Sequence, residues 1–169
     1  TMGVWFGNIL QRAEQLTAWL SHGRPNAFWL TGFFNPQGFL TANRQEVCRR
    51  HARDGWALDD VVNATDVLRI EREEARKAPD EGVYIHGLYL DGCRWDKQRE
   101  RLADSEPKVL YAPLPLLHVT GVLAANKDAG AGAYNCPCYK SPKRGGLHFV
   151  FDVDLRTEDP DAGRRLADR

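Results

Sequence analysis

Residues 81–95 read EGVYIHGLYLDGCRW. Within them Val83, Ile85, Gly87 and Tyr89 alternate with Tyr84, His86, Leu88 and Leu90. This is a period of two in residues that favour strands, and Asp91-Gly92 closes it with a turn dipeptide. Both alternating sets are largely apolar, which predicts a strand covered on both faces and central in a sheet. The pattern before it is mostly helical, and three further strand candidates follow. The expectation is an α+β fold: the run supplies the first long strand of a C-terminal β-unit, and the earlier helices pack onto it.

Working back towards the start, Trp5, Ile9, Arg12/Ala13, Leu16 and Leu20 recur at helical spacing. With Gln11, Arg12, Glu14 and Gln15 between them they predict an amphipathic helix of about four turns that ends near Ser21-His22-Gly23. Ala27-Phe28-Trp29-Leu30 reads as a short buried strand or turn. Asn35-Pro36 opens a second helix, with Asn35 as N-cap and Pro36 at the first helical position. Phe34 and Phe39 are spaced as a hydrophobic staple. Phe39, Leu40, Asn43 and Val47 form the expected inner face, Gly55 is the expected stop, and Arg44, Arg49, Arg50 and Arg53 read as a solvated face.

On the other side of the central run, Trp56 to Leu68 leans towards strand and residues 69–81 form a charged connection. Asp96 to Glu106 reads as loop or short helix. Lys108 to Tyr111 and Leu116 to Leu123 read as strands, and residues 124–133 as a flexible Gly/Ala loop. Tyr134 to Tyr139 and Leu147 to Leu155 read as a hairpin across Ser141 to Gly146. Beyond Thr157 the sequence is charged and apolar-poor, which predicts a loose tail.

Hydrophobic content of 43% over 169 residues argues for a packed core and against disorder. With 23 basic and 23 acidic side chains the formal net charge is zero, so no global field would draw the protein onto nucleic acid or an anionic membrane. No apolar run approaches ~18 residues, so no membrane-spanning helix is expected. The first residues lack the pattern of a signal peptide, and both ends of the sequence read as cut points. Cys48, Cys93, Cys136 and Cys138 are expected as reduced, buried thiols in a cytosolic setting.

No constellation for catalysis stands out. Gly130-Ala131-Gly132-Ala133 carries no Lys-Ser/Thr and is no P-loop. Asp59-Asp60 and Asp152/Asp154 could supply paired carboxylates. However, adjacent aspartates in a strand point to opposite faces, and Asp152 with Asp154 suits the wet side of an edge strand. Cys138 with His118 or His148 could form a nucleophile and base, but no spacing supports it. Cys136-Pro137-Cys138 is too tight for a zinc pair, even with His51, His86, His118 and His148 available. No catalytic, cofactor-binding or metal-binding residue is assigned. The residues alone describe a non-catalytic α+β module.

Longer blocks say more. Phe28-Trp29-Leu30-Thr31-Gly32-Phe33-Phe34-Asn35-Pro36-Gln37-Gly38-Phe39-Leu40-Thr41-Ala42, followed by Arg44-Gln45-Glu46, closely resembles the C-terminal domain of dynein heavy chains. So do Gly55-Trp56-Ala57-Leu58-Asp59, Gly82 to Gly92 with Trp95-Asp96, and Pro107-Lys108-Val109-Leu110. Pro113-Leu114-Pro115, Tyr134 with Cys136-Pro137-Cys138-Tyr139-Lys140, and Phe151-Asp152-Val153-Asp154-Leu155 follow in the family's order. The match spans roughly residues 4–157 and is nearer the axonemal (ciliary) heavy chains, outer-arm type, than the cytoplasmic one. The departure is at the end, where Glu158 to Arg169 lacks the family's Trp-containing stretch and apolar tail.

The resemblance implies N-terminal helices packed on an incomplete antiparallel β-barrel: residues 1–55 helical, 56–157 the β part, and 158–169 a tail. It implies a position after the sixth module of an AAA+ motor ring, on one face of that ring, modulating motor output. ATP and Mg²⁺ would belong to the parent motor, with no cofactor in this segment. The implied partners are the ring of the same heavy chain, the microtubule only through the parent protein, and intermediate and light chains in the parent complex. Nucleic acid and membrane are not among them. The implied location is the cytoskeleton of the cilium or flagellum, its axoneme. A reading from another class is a free-standing β-barrel module that binds a glycan or peptide on Tyr84, Tyr89, Trp95 or Tyr134.

Overall fold

Gly87 has φ 87°, a left-handed backbone conformation that side-chain-bearing residues rarely adopt, and the run from Val83 to Leu90 breaks there. The computed structural model describes residues 2–127, 133–142 and 148–157. In it the expected single long strand is two: β3 (Val83–His86) in one sheet and β4 (Tyr89–Asp91) in another. The reason is local and tertiary together. A Cβ on Gly87 would stand 2.4 Å from Cδ1 of the Trp29 side chain, so the indole leaves room only for glycine at the break. The Thr31 hydroxyl donates to the Gly87 carbonyl at 3.2 Å and holds the crossing point.

The first sheet has the order β1 (Phe28–Trp29), β3, β8 (Leu117–Leu123), β2 (Val61–Val67). Strand β3 is central, as its two apolar faces require, with Ile85 fully buried. Strand β1 runs parallel to β3; β8 is antiparallel to both of its neighbours. The second sheet has the order β10 (Phe149–Arg156), β9 (Ala133–Tyr139), β4, β7 (Tyr111–Pro113), all antiparallel. Strands β5 (Cys93–Asp96) and β6 (Arg101–Asp104) form a separate hairpin, where loop or helix was expected. Two local contacts explain it. Asp96 Oδ1 accepts the backbone N–H groups of Gln98 and Arg99, an Asx turn, and Trp95 and Leu102 pack against the core.

One core lies between these sheets and α2 (Pro36–Arg50): Leu30, Leu40, Ile85, Leu88, Leu90, Leu117, Val119, Val153 and Leu155 are all buried. Each of these residues adds about 1.5–3 kcal/mol on burial. Asn35 caps α2, its Oδ1 accepting the Gly38 N–H at 2.9 Å, with Pro36 opening the helix. Leu40, Asn43 and Val47 face inward as read, joined by Cys48. The staple differs: Phe34 is 85% exposed, and Phe33 instead stacks on Phe39 at 4.5 Å. The helix stops at Arg50; Gly55 ends the 3-10 turn Ala52–Asp54 that follows.

The fold is therefore α+β, with two α-helices, antiparallel sheets and one short parallel pairing among the described residues. The glycine-rich stretch 128–132, most of the β9–β10 turn (143–147) and the tail 158–169 lie outside the described residues.

Candidate functional site

Helix α1 (Met2–His22) contains no buried residue, although about six turns would offer ample apolar surface for a core. Its contact with the body is made by a polar and aromatic stripe. The Arg12 guanidinium donates to the carbonyls of Gly32 at 3.0 Å and Phe33 at 3.3 Å, and lies 5.7 Å from the centroids of the Trp29 and Phe34 rings. Asn8 Oδ1 accepts from Arg12 Nε and fixes its orientation. Gln15 accepts the Trp29 N–H at 2.7 Å and donates to the Trp29 carbonyl at 3.2 Å. Trp19 meets Phe28 edge-on at 5.0 Å, near Phe33 and Phe39.

At 100° per residue, Asn8, Arg12, Gln15 and Trp19 form one stripe. Met2, Trp5, Ile9, Ala13, Leu16 and Leu20 form another, about a quarter turn around the helix. The apolar residues at helical spacing are thus turned mostly outward. Trp5 is 63% exposed and Leu20 89%, with Phe6 and Leu10 exposed beside them. The signal that could have found the true seam is Arg12, Gln15 and Trp19 at helical spacing, an uncommon stripe of long hydrogen-bonding side chains and an indole.

A cleft of about 630 Å³ runs between α1 and the first sheet, lined by Gln11, Glu14, Gln15, Trp29, Arg72 and His86 among others. Burial and the nearby Arg72 charge hold His86 down to about 4, so its ring is neutral at pH 7.

The other sequence candidates do not converge. Asp59 and Asp60 lie in a 3-10 turn, not a strand. Asp152 is exposed on β10, while Asp154 is engaged by Lys127 at 2.6 Å and by Asn135 at 2.7 Å. Cys138 is fully buried against the Cys136 carbonyl, and burial pushes its thiol well above the usual range. His118 bonds to the Glu81 carbonyl at 2.8 Å, and His148 to the Ser141 hydroxyl at 3.0 Å. All four cysteines are free and buried. The Cys93 and Cys136 thiols share a hydrogen bond that lowers the former and raises the latter. Among the described residues no group of His, Cys, Asp and Glu could hold a metal ion, and no helix is long and apolar enough to cross a membrane.

A family model for the C-terminal domain of the dynein heavy chain matches residues 1–166. The protein belongs to that family. It is 52% identical over 158 residues to the human dynein axonemal heavy chain 8, and 52% identical over 162 residues to the dynein gamma chain of the flagellar outer arm of Chlamydomonas reinhardtii. It is 47% identical over 158 residues to the mouse dynein axonemal heavy chain 5. These alignments span 93–94% of this sequence but only 3–4% of those proteins. Seen in a dynein C-terminal domain, the unburied apolar arc of α1 stands at the start of a segment whose relatives are many times longer.

Proposed function

We propose that this protein is a non-catalytic regulatory cap on one face of the AAA+ ring of an axonemal dynein heavy chain, modulating ATP-driven, microtubule-based movement of cilia or flagella. The observation that carries the reading is α1. Its polar stripe fastens it to the body, and its apolar arc faces away from this domain's own core. Covering Trp5, Phe6, Ile9, Leu10 and Leu20 would stabilise the complex by roughly 25 cal/mol for each Å² of apolar surface newly buried. A ring surface on the same polypeptide would supply that cover with little loss of translational freedom. A cap of this kind acts by contacting one ring conformation more favourably than another.

In this reading ATP and Mg²⁺ are held by other modules of the parent protein. The microtubule, the intermediate chains and the light chains are met only through the parent complex, in the axoneme. The two four-stranded sheets serve as the halves of an incomplete barrel. Residues 1–55 act as the helical part and 56–157 as the β part.

The test is binding of the tagged domain to a motor ring built without its C-terminal segment, with MgATP turnover followed alongside. Saturable binding that changes turnover, lost on Trp5→Glu and Ile9→Glu, is expected. A folded domain that neither binds nor alters turnover when covalently rejoined to the ring overturns the reading.

A further inference from the structure

The outer face of the second sheet carries an aromatic row that none of the roles above uses. The register places Pro113 of β7 beside Tyr89 of β4, Tyr89 beside Tyr139 of β9, and Tyr139 beside Phe149 of β10. The row therefore crosses all four strands. The alternate residues Ala112, Leu90 and Cys138 are buried, so this row points outward. Tyr139 meets Tyr111 edge-on at 6.2 Å and Phe149 at 6.4 Å, and Phe149 is 42% exposed. The next row along the strands pairs Tyr111 with Asp91 and Pro137 with Asp152. Asp91 follows Leu90, which pairs with Cys138, so its carboxylate belongs beside Pro137.

Beside the aromatic row this face carries two carboxylates, Asp91 and Asp152, while Arg156 stands on the same face at the far end of β10, opposite Ala133. Asp91 is half-buried and Asp152 exposed, and neither is in an ion pair with another described residue. By contrast, Asp154, one step further along, is already matched by Lys127. Aromatic faces attract cations, and two carboxylates without such a match attract the same kind of group and repel an acidic one. Flat tyrosine and proline surfaces also suit extended segments that bring proline.

We propose that the outer face of the second sheet, centred on Tyr89, Tyr139, Asp91 and Asp152, is a docking surface for an extended, arginine-bearing segment of a partner protein. Arginine side chains stack on the tyrosine rings and pair with the two aspartates, while the partner's prolines lie along Pro113 and Phe149. The face lies on a different element from α1, so it can be occupied while α1 meets another surface.

The probe is a fluorescein-labelled peptide of alternating proline and arginine, titrated with the 169-residue protein and followed by anisotropy. A peptide of alternating proline and glutamate is the control. Saturable binding is expected that weakens with added salt, is absent for the glutamate peptide, and falls about fivefold on Asp91→Asn and again on Asp152→Asn. Both substitutions preserve shape, and circular dichroism checks that the fold is intact. Amide shifts on peptide addition should centre on Tyr89, Tyr139 and Phe149. No saturation at about millimolar protein, equal binding of the glutamate peptide, unchanged affinity in the double asparagine variant, or shifts confined to α1 would each overturn the proposal.

Discussion

The side-chain amide of Gln15 pairs with both backbone groups of Trp29, accepting its N–H at 2.7 Å and donating to its carbonyl at 3.2 Å. Trp29 ends the two-residue edge strand β1, so a helix side chain takes the place that a neighbouring strand would occupy. The amide closes the sheet edge and fastens α1 with one group.

Gln15→Leu should therefore loosen α1 while leaving the sheets in place. The loss of two partly buried hydrogen bonds amounts to about 1–3 kcal/mol in urea unfolding. Gln15→Glu retains an acceptor for the N–H but sets a carboxylate against the Trp29 carbonyl, and should cost at least as much. If both variants unfold at the parent's urea midpoint, the pairing does not fasten the helix.

Gly87→Ala should be among the costliest small changes in the protein. The new methyl would meet the Trp29 indole at 2.4 Å in a residue with φ 87°, a combination of overpacking and backbone strain. A loss of about 2–4 kcal/mol is expected. Gly3→Ala is the control. A Cβ there meets nothing within 4 Å, and the site is helical, so a neutral or slightly stabilising effect is expected. Comparable unfolding midpoints for the two variants would contradict this account.

Two histidines should bend the pH profile of stability in opposite directions. His51 bonds to Asp54 at 3.0 Å and Glu81 at 3.1 Å, and the Asp54 hydrogen bond, with Glu81 behind it, raises its pKa above the ordinary 6.5. Its contribution is complete below 6.5 and is lost as pH rises through the raised value. His86 is depressed from 6.5 to about 4, chiefly by burial, so the folded state resists its protonation and stability falls as pH drops below 6.5 towards 4. His51→Gln should flatten the alkaline side of this window and His86→Gln the acidic side. Urea midpoints measured every half pH unit decide it, and parallel profiles for the three proteins would refute the assignment.

The four thiols should be slow to alkylate in the native protein at neutral pH and fast once it is unfolded, since all are buried. As conditions loosen the fold, Cys93 should react before Cys138, because the Cys136 thiol lowers Cys93 while burial raises Cys138. Mass spectrometry of the alkylated peptides gives the order. Rapid native labelling of Cys138 would reopen the nucleophile reading.

Much of the fold was legible because it is written in short-range chemistry. Asn35-Pro36 marks the start of α2 by capping alone, and the alternation in 117–123 and 149–156 marks β8 and β10. The hairpin at 93–104 was harder to see, since its turn is polar and its apolar anchors, Trp95 and Leu102, are few. The staple was misassigned by one residue because Phe33 and Phe34 are equivalent in composition, and only packing against Phe39 and Trp19 separates them.

By itself the sequence determined the α+β class, the order of most elements, the buried thiols and the family, because periodicity, capping and turn chemistry act over a few residues. Only the tertiary structure decided that the run at 83–90 serves two sheets and that α1 meets the body through Arg12, Gln15 and Trp19. It alone brought Tyr89, Tyr139 and Phe149 into one row. Each of these depends on which distant group fills a given space: Trp29 sits against Gly87 across nearly sixty residues of sequence, and no local pattern encodes that encounter.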